Sequence, residues 1–286
     1  MSTTTTTILP TKFEGLVIVS TGKGQTDTIV RTAASSFFSA GQTTVSLTDP
    51  TSKATLSYET TSDNKLQVNV AYNDDALAFS WASATSFFGF NTPPKTALEV
   101  TIPQSITDFA IKGSVGSLNY QGPDLKKNFT ADYNVGSVKA ASITAENVSI
   151  NTNVGAVDLG QVTARNTVTV ITNVGAVRAD AIKGFKDLIM RADVGSIQAD
   201  LYPAVHDANI DLQTGTGNVL VSVFGFKGKF QASSGLGPLR VSGPAIVGGH
   251  NVSIYTGTAK GWVAKQDSFG SFKGYAGLGL MNVAFN

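Results

Sequence analysis

The chain has 286 residues, 42% of them apolar, enough for one large or two ordinary domains with a substantial core. Only 14% are charged and the formal net charge is +1, so no long-range field draws in nucleic acid, an anionic membrane or another polyanion. Cysteine is absent, which removes disulfides, thiolate nucleophiles and cysteine metal sites together.

The start, Met1 to Gly15, has neither a basic segment nor an apolar run of the kind a signal peptide carries. No stretch approaches the roughly twenty apolar residues of a spanning helix, and no membrane span is expected. Phe13 to Ser20, Thr43 to Leu47, Ala54 to Glu59 and Lys65 to Tyr72 alternate in the manner of strands. Turn signals at Asp49-Pro50 and Ser62-Asp63-Asn64 separate the last three, which is the pattern of an antiparallel meander. Thr28 to Ala40 mixes apolar and small residues and is expected to form a short helix. Gly22-Lys-Gly24 carries no phosphate-loop context. Asp74-Asp75 lacks the ligand spacing of a calcium loop and reads as solvated charge.

Phe79 to Phe90 then gathers Phe79, Trp81, Phe87, Phe88 and Phe90 among small and polar residues. Such a cluster either plugs the mouth of a core or contacts a partner or ligand, with Trp81, Phe87, Phe88 and Phe90 as the contact candidates. Asn91 to Lys95 is the joint. Residues 1–97 are read as a β-rich capping region and residues 98–286 as the main body, in which a repeat begins near Pro103.

The repeat is set by a glycine at Gly116, Gly136, Gly155, Gly175 and Gly195, continuing in altered form at Gly217, Gly237, Ala259 and Gly279. The steps are 20, 19, 20, 20, 22, 20, 22 and 20 residues. Two positions earlier stand Ser114, Asn134, Asn153, Asn173 and Asp193, then Gly215, Gly235, Gly257 and Gly277. These residue types enter left-handed backbone readily, so the corner of each coil is expected at Asn134/Gly136, Asn153/Gly155, Asn173/Gly175 and Asp193/Gly195. Apolar residues five and seven before the glycine, such as Val148/Ile150 and Val168/Val170, and two after it, such as Val138, Val157 and Val177, show strand alternation. A single coil cannot bury its apolar row, whereas coils in parallel register can. The fold expected is therefore all-β: a single-stranded parallel β-helix, or β-solenoid, of about nine coils, roughly 40 Å long, with an N-terminal β-rich cap. Leu278 to Phe285 is strongly apolar, so that end needs cover from the front third or from another chain, which makes self-association through the ends a possible contact.

At these phrases, Gly116 to Leu118, Gly136 to Val138, Gly155 to Val157, Gly175 to Val177 and Gly195 to Ile197, the chain resembles the "putative adhesin" domain family over about Leu98 to Asn286. The resemblance implies a β-solenoid whose coils carry short Gly-x-Val/Ile phrases and an association with the cell surface or envelope. It supplies no catalytic residues to carry over.

Parallel β-helices also carry polysaccharide lyases and glycoside hydrolases, which need two carboxylates on one face. Asp158, Asp180 and Asp200 are the best supply, and stacking would set Asp180 beneath Asp200, but Arg178, Lys183 and Arg191 nearby favour ordinary surface charge. His206 and His250 are too few and too isolated for a metal cage. Gly215-Thr-Gly217 and Gly235-Leu-Gly237 lack the Lys-Ser/Thr of a nucleotide loop. Asn128-Phe-Thr, Asn147-Val-Ser and Asn251-Val-Ser match the glycosylation sequon without establishing secretion. Thr152 and Thr172 precede equivalent asparagines and are read as outward residues, but Tyr133 and Ala192 interrupt the row an ice-binding face would need. The leading reading is a non-enzymatic, adhesin-like binding or scaffold protein with no cofactor or metal, meeting a protein or carbohydrate and not nucleic acid. The alternative is a carbohydrate-active enzyme using carboxylates such as Asp180 and Asp200.

Overall fold

Period-two alternation, with β-branched residues on the inward positions, makes almost every described stretch a strand. The computed structural model describes residues 3–9, 13–21, 25–33, 43–49, 54–72, 96–205, 208–244, 246–247, 252–264 and 270–286, and these described residues form 22 strands. Among the described residues no helix is long and apolar enough to cross a membrane.

The front part contributes β1 (Thr3–Leu9), β2 (Gly15–Thr21), β3 (Thr26–Thr32), β4 (Thr43–Asp49), β5 (Ala54–Thr60), β6 (Lys65–Tyr72) and β7 (Thr96–Ile102). The middle follows with β8 (Asp108–Gln121), β9 (Asn128–Val154), β10 (Val157–Val174), β11 (Val177–Lys183), β12 (Asp187–Val194), β13 (Ile197–Tyr202), β14 (Asn209–Thr216) and β15 (Val219–Val223). The last part is β16 (Gly228–Leu236), β17 (Leu239–Ser242), β18 (Ile246–Val247), β19 (Val252–Ile254), β20 (Gly257–Val263), β21 (Gly270–Leu278) and β22 (Met281–Phe285).

From β8 to β15 each layer lies in parallel register on the one before. Val138, Val157, Val177, Ile197 and Val219 form one file, and Val148, Val168, Leu188 and Ile210 another. All nine side chains are buried. A file of this kind is the reason for the repeat, because each layer covers the apolar row of its neighbour and satisfies its backbone groups.

The expected parallel β-helix of nine successive coils is nevertheless overturned by what happens at the two ends. β21 lies between β14 and β16, parallel to both, and β22 lies between β15 and β17. The layer of Gly279, last in sequence, thus stands between those of Gly217 and Gly237. Ala259 belongs to no parallel coil: β20 runs antiparallel to β16, pairing Ala259 with Ala232, while β19 runs antiparallel to β17. The front end has the same design. β2 lies between β6 and β8, and β3 between β7 and β8, all parallel. Antiparallel β5 and β4 then cover β6 and β7, and β1 covers β4.

A common physical cause lies behind both departures. A terminal parallel layer leaves a row of unpaired N–H and C=O groups, and an antiparallel return strand pairs them within the same chain. The apolar segment Leu278 to Phe285 accordingly needs no cap, since its own chain flanks it on both sides; Met281, Val283 and Phe285 are buried. Of the expected meander only β5 and β6 pair as neighbours; β4 pairs with β1 and β7, so that β4 and β5 are two sides of one layer. The expected helix over Thr28 to Ala40 begins as strand β3, where Thr26, Thr28 and Val30 alternate inward; residues 34–40 lie outside the described residues.

The core runs unbroken through the layers, with an aromatic cluster towards each end. Phe109, Tyr120 and Phe129 have ring centroids 4.9 to 5.4 Å apart. Phe226, Phe230 and Phe272 surround Phe285 at 5.3 to 5.7 Å.

Candidate functional site

The phrase Asn-Val-Gly forms one long edge of the stack. Alternation along β9 buries Ile150 and Thr152 and would also bury Val154. It does not: Asn153 and Val154 both stand outside, and the chain turns its corner at Gly155, whose φ is 156°. Gly175 and Gly195 repeat the conformation at φ 154° and 153°. A Cβ at Gly175 would fall on the carbonyl oxygen of Gly155, and one at Gly155 on that of Gly136. Gly136 is not in the left-handed region, yet its Cβ would fall on the carbonyl of Gly116, so crowding alone requires glycine there.

Asn134, Asn153, Asn173 and Asp193 do not adopt the left-handed backbone expected of them; among the described residues only Asn64 and Ala264 do so without being glycine. The asparagines instead bond to one another across layers. Asn173 Nδ2 donates to Asn153 Oδ1 at 2.7 Å, and Asn153 Nδ2 donates to Asn134 Oδ1 at 3.1 Å. Parallel register puts identical amides about 4.8 Å apart along the stack, which suits a ladder in which each amide gives one bond and takes one.

One residue earlier, the threonines point inward, contrary to the outward row expected. Thr152, Thr172 and Thr214 are fully or almost fully buried. Thr172 Oγ1 donates to Gly155 O at 3.1 Å, and Thr214 Oγ1 to Gly195 O at 2.7 Å. Ser234 Oγ does the same for Gly237 O at 2.9 Å. These hydroxyls add acceptor bonds at carbonyls that the glycine corners draw inward. Tyr133 fills this position in its layer, and Gly113 leaves room for the ring.

The valines themselves stand outside. Val135, Val154, Val174 and Val194 are 40%, 41%, 47% and 51% exposed, followed past Thr216 by Leu278 at 50% and Leu236 at 62%. Register links Val154, Val174, Val194, Thr216, Leu278 and Leu236 in a single row. Over six layers it spans about 24 Å at the usual strand spacing. Sequence reasoning did not single these residues out; the signal available was the recurrence of Val at a position whose neighbours already explain the corner. Beside the ladder lies a groove of about 610 Å³ lined in part by Lys112, Asp132, Asn134, Asn151, Asn153 and Asn173. The edge offers methyl groups, amide donors and acceptors at fixed intervals, the chemistry of contact more than of bond breaking.

Other residues singled out in the sequence fall elsewhere. Asp158 lies beside Lys139 and Arg178 in register on the opposite strand face. Asp180 is paired with Arg178 at 4.0 Å, both largely exposed, and it falls in the stretch between Ala179 and Ile182 where the register of β11 on β13 shifts and no ladder pair joins it to Asp200. Gly215, Gly217, Gly235 and Gly237 occupy corners, not a strand-to-helix turn. Asn128 and Asn147, two of the sequon asparagines, form a second ladder with Asp108 at 2.8 and 3.0 Å. Trp81, Phe87, Phe88, Phe90, Asp74, Asp75, His206, His250 and Gly22 to Gly24 lie outside the described residues. Among the described residues no group of three or more His, Asp or Glu is placed to hold a metal ion.

Among curated proteins none matches the chain. Three crystal structures are similar along its whole length. One is described as a "putative cell adhesion protein" from Clostridium sporogenes, at 10% identity, 100% of each chain and a TM-score of 0.34. Another is a "putative adhesin" from Bacteroides fragilis, at 14% identity, 98% of this chain, 97% of that chain and a TM-score of 0.43. The third is a "putative adhesin" from Parabacteroides distasonis, at 9% identity, 99% of this chain, 97% of that chain and a TM-score of 0.38. The family described as Toastrack DUF4097 matches residues 23–245, and its all-β sheet topology, not a simple parallel β-helix, is the architecture of this protein. On that match, which covers most of the sequence, the chain belongs to the Toastrack DUF4097 family.

Proposed function

We propose that the protein is a non-enzymatic, adhesin-like binding or scaffold protein that meets a macromolecular partner, protein or carbohydrate, along the Asn-Val-Gly edge. The exposed valine row carries this reading. Exposed apolar side chains scattered singly are ordinary, but a row in register, beside a ladder of amides, is the composition of a contact surface. Rigid layers hold the row straight, so a partner would meet the same contact repeated at strand spacing, and weak single contacts would add. The front third, residues 1–97, serves in this reading to close one end of the stack and the corner residues Asn134 to Gly195 to keep the edge straight.

Beads coated with the full chain, presented to immobilised polysaccharides and purified proteins, test the proposal. Retention on at least one surface is expected, with a loss of about tenfold or more when Val154, Val174 and Val194 are all changed to Ser and the melting temperature is unchanged. Retention that survives the triple substitution overturns the edge, and release of new reducing ends from the polysaccharides overturns the non-enzymatic reading.

A further inference from the structure

The outward face of the last layers gathers three lysines. The antiparallel return of β20 beside β16, and the parallel packing of β16 on β21, set Lys260, Gln231 and Lys273 side by side on three adjacent strands. Two residues along, Lys229 is opposite Trp262 and beside Ser271, with its ammonium 5.0 Å from the centre of the Trp262 ring. These six residues line a groove of about 440 Å³, within the range of small-molecule sites. None of the three lysines makes an ion pair among the described residues. The nearest acids in register are already engaged: Asp211 with Arg191 at 2.8 Å, and Asp187 with Asn209 at 2.8 Å. At strand spacing the backbones of Lys260 and Lys273 are about 10 Å apart, so both ammonium groups can reach one anion above Gln231.

We infer that this groove is a binding site for a carboxylate-bearing saccharide unit. Three cations without an ion pair among the described residues call for an anion, and the cation–π contact holds one of them in place at low entropic cost. The indole wall offers an apolar surface to the C–H side of a sugar ring, while Gln231 and Ser271 offer neutral partners for hydroxyls. A phosphodiester polymer needs a basic track that continues, whereas the Lys260–Lys273 row runs on into Asp211, the Lys229–Ser271 row runs past Asn209 into Asp187, and the whole chain carries only +1. The ligand is thereby limited to one or two anionic groups at the groove. The site is separate from the Asn-Val-Gly edge and does not rest on the function proposed for it.

Isothermal titration of the full chain with trigalacturonic acid, a neutral galactose trimer and inorganic phosphate tests the inference. The acidic trimer is expected to bind, and more weakly as salt is raised from 50 to 300 mM. Its affinity is expected to fall about tenfold or more in K260Q/K273Q, a surface variant whose melting temperature stays that of the parent. No binding of the acidic trimer, equal binding of the neutral one, or an unaffected double variant overturns the site. Phosphate binding as tightly as the trimer overturns the saccharide assignment and leaves an anion pocket alone.

Discussion

Changing Gly175 to Ala isolates the geometry on which the edge depends. Two separate costs follow from the structure. At φ 154° an L-residue is strained by about 1–3 kcal/mol. The new Cβ also falls on the carbonyl of Gly155, so the two layers must part locally. Parting weakens the bonds from Gly155 N to Val174 O and from Val157 N to Ala176 O, at 2.8 and 2.9 Å, each worth about 1 kcal/mol. The sum is about 3–5 kcal/mol. Gly225 provides the comparison: its φ is 71°, but a Cβ there has nothing within 4 Å, so Gly225→Ala pays only the backbone term of about 1–2 kcal/mol. Urea unfolding of the parent and both variants, followed by far-UV circular dichroism, measures the difference. Equal losses from the two substitutions, or a larger one at Gly225, would refute the argument that stacked carbonyls, and not the dihedral alone, demand glycine at the corner.

Two further predictions concern the core and its closure. Burial pushes the phenol pKa of Tyr120 and of Tyr133 well above its ordinary value of 10, so the folded state holds both neutral where the unfolded chain ionises. The stabilisation is present below pH 10 and lost as pH rises above it, at about 1.4 kcal/mol per pH unit for each tyrosine. The Tyr133 hydroxyl is buried beside Thr28 without a well-formed hydrogen bond, so Tyr133→Phe should cost less than about 1 kcal/mol at pH 7 and flatten the alkaline loss by one tyrosine's share; an unchanged slope between pH 9 and 11 counts against it. A chain ending at Val263 loses Phe272, Ala276, Met281, Val283 and Phe285 from between β14/β15 and β16/β17, on the order of 10 kcal/mol of gross burial, comparable with the whole stability of a domain. Light scattering should find it aggregated or unfolded, and a soluble monomer with the parent's melting behaviour would contradict the placing of β21 and β22 between earlier layers.

Local chemistry made much of the central stack readable. Val138, Val157 and Val177 occur at one offset from their glycines, and the structure puts them in one file. Alternation likewise located β2, β5 and β6 within a residue or two. The valines of the edge were less readable, because alternation alone puts Val135 and Val154 inside, whereas the corner at the glycine that follows each leaves them outside. Parity puts Thr152 and Thr172 inside with Ile150 and Val170, and residue type alone hides this, because Thr suits an exposed strand as well as a buried hydroxyl bond. The lysine groove was not readable either, since Lys229, Lys260 and Lys273 are spread over 45 residues and meet only when β20 turns back along β16.

By itself the sequence determined that the chain is all-β, that its layers have nearly equal length, and which residues face the core over most of them. Those properties follow from side-chain pattern and corner residues, which act over a few positions. Tertiary structure decided the order and direction in which layers meet at the two ends. A strand edge accepts any partner that pairs its N–H and C=O groups, earlier or later in the chain, parallel or antiparallel. Period alone does not distinguish these partners, so the position of β21 and β22 between β14/β15 and β16/β17 depends on contacts between residues far apart in sequence.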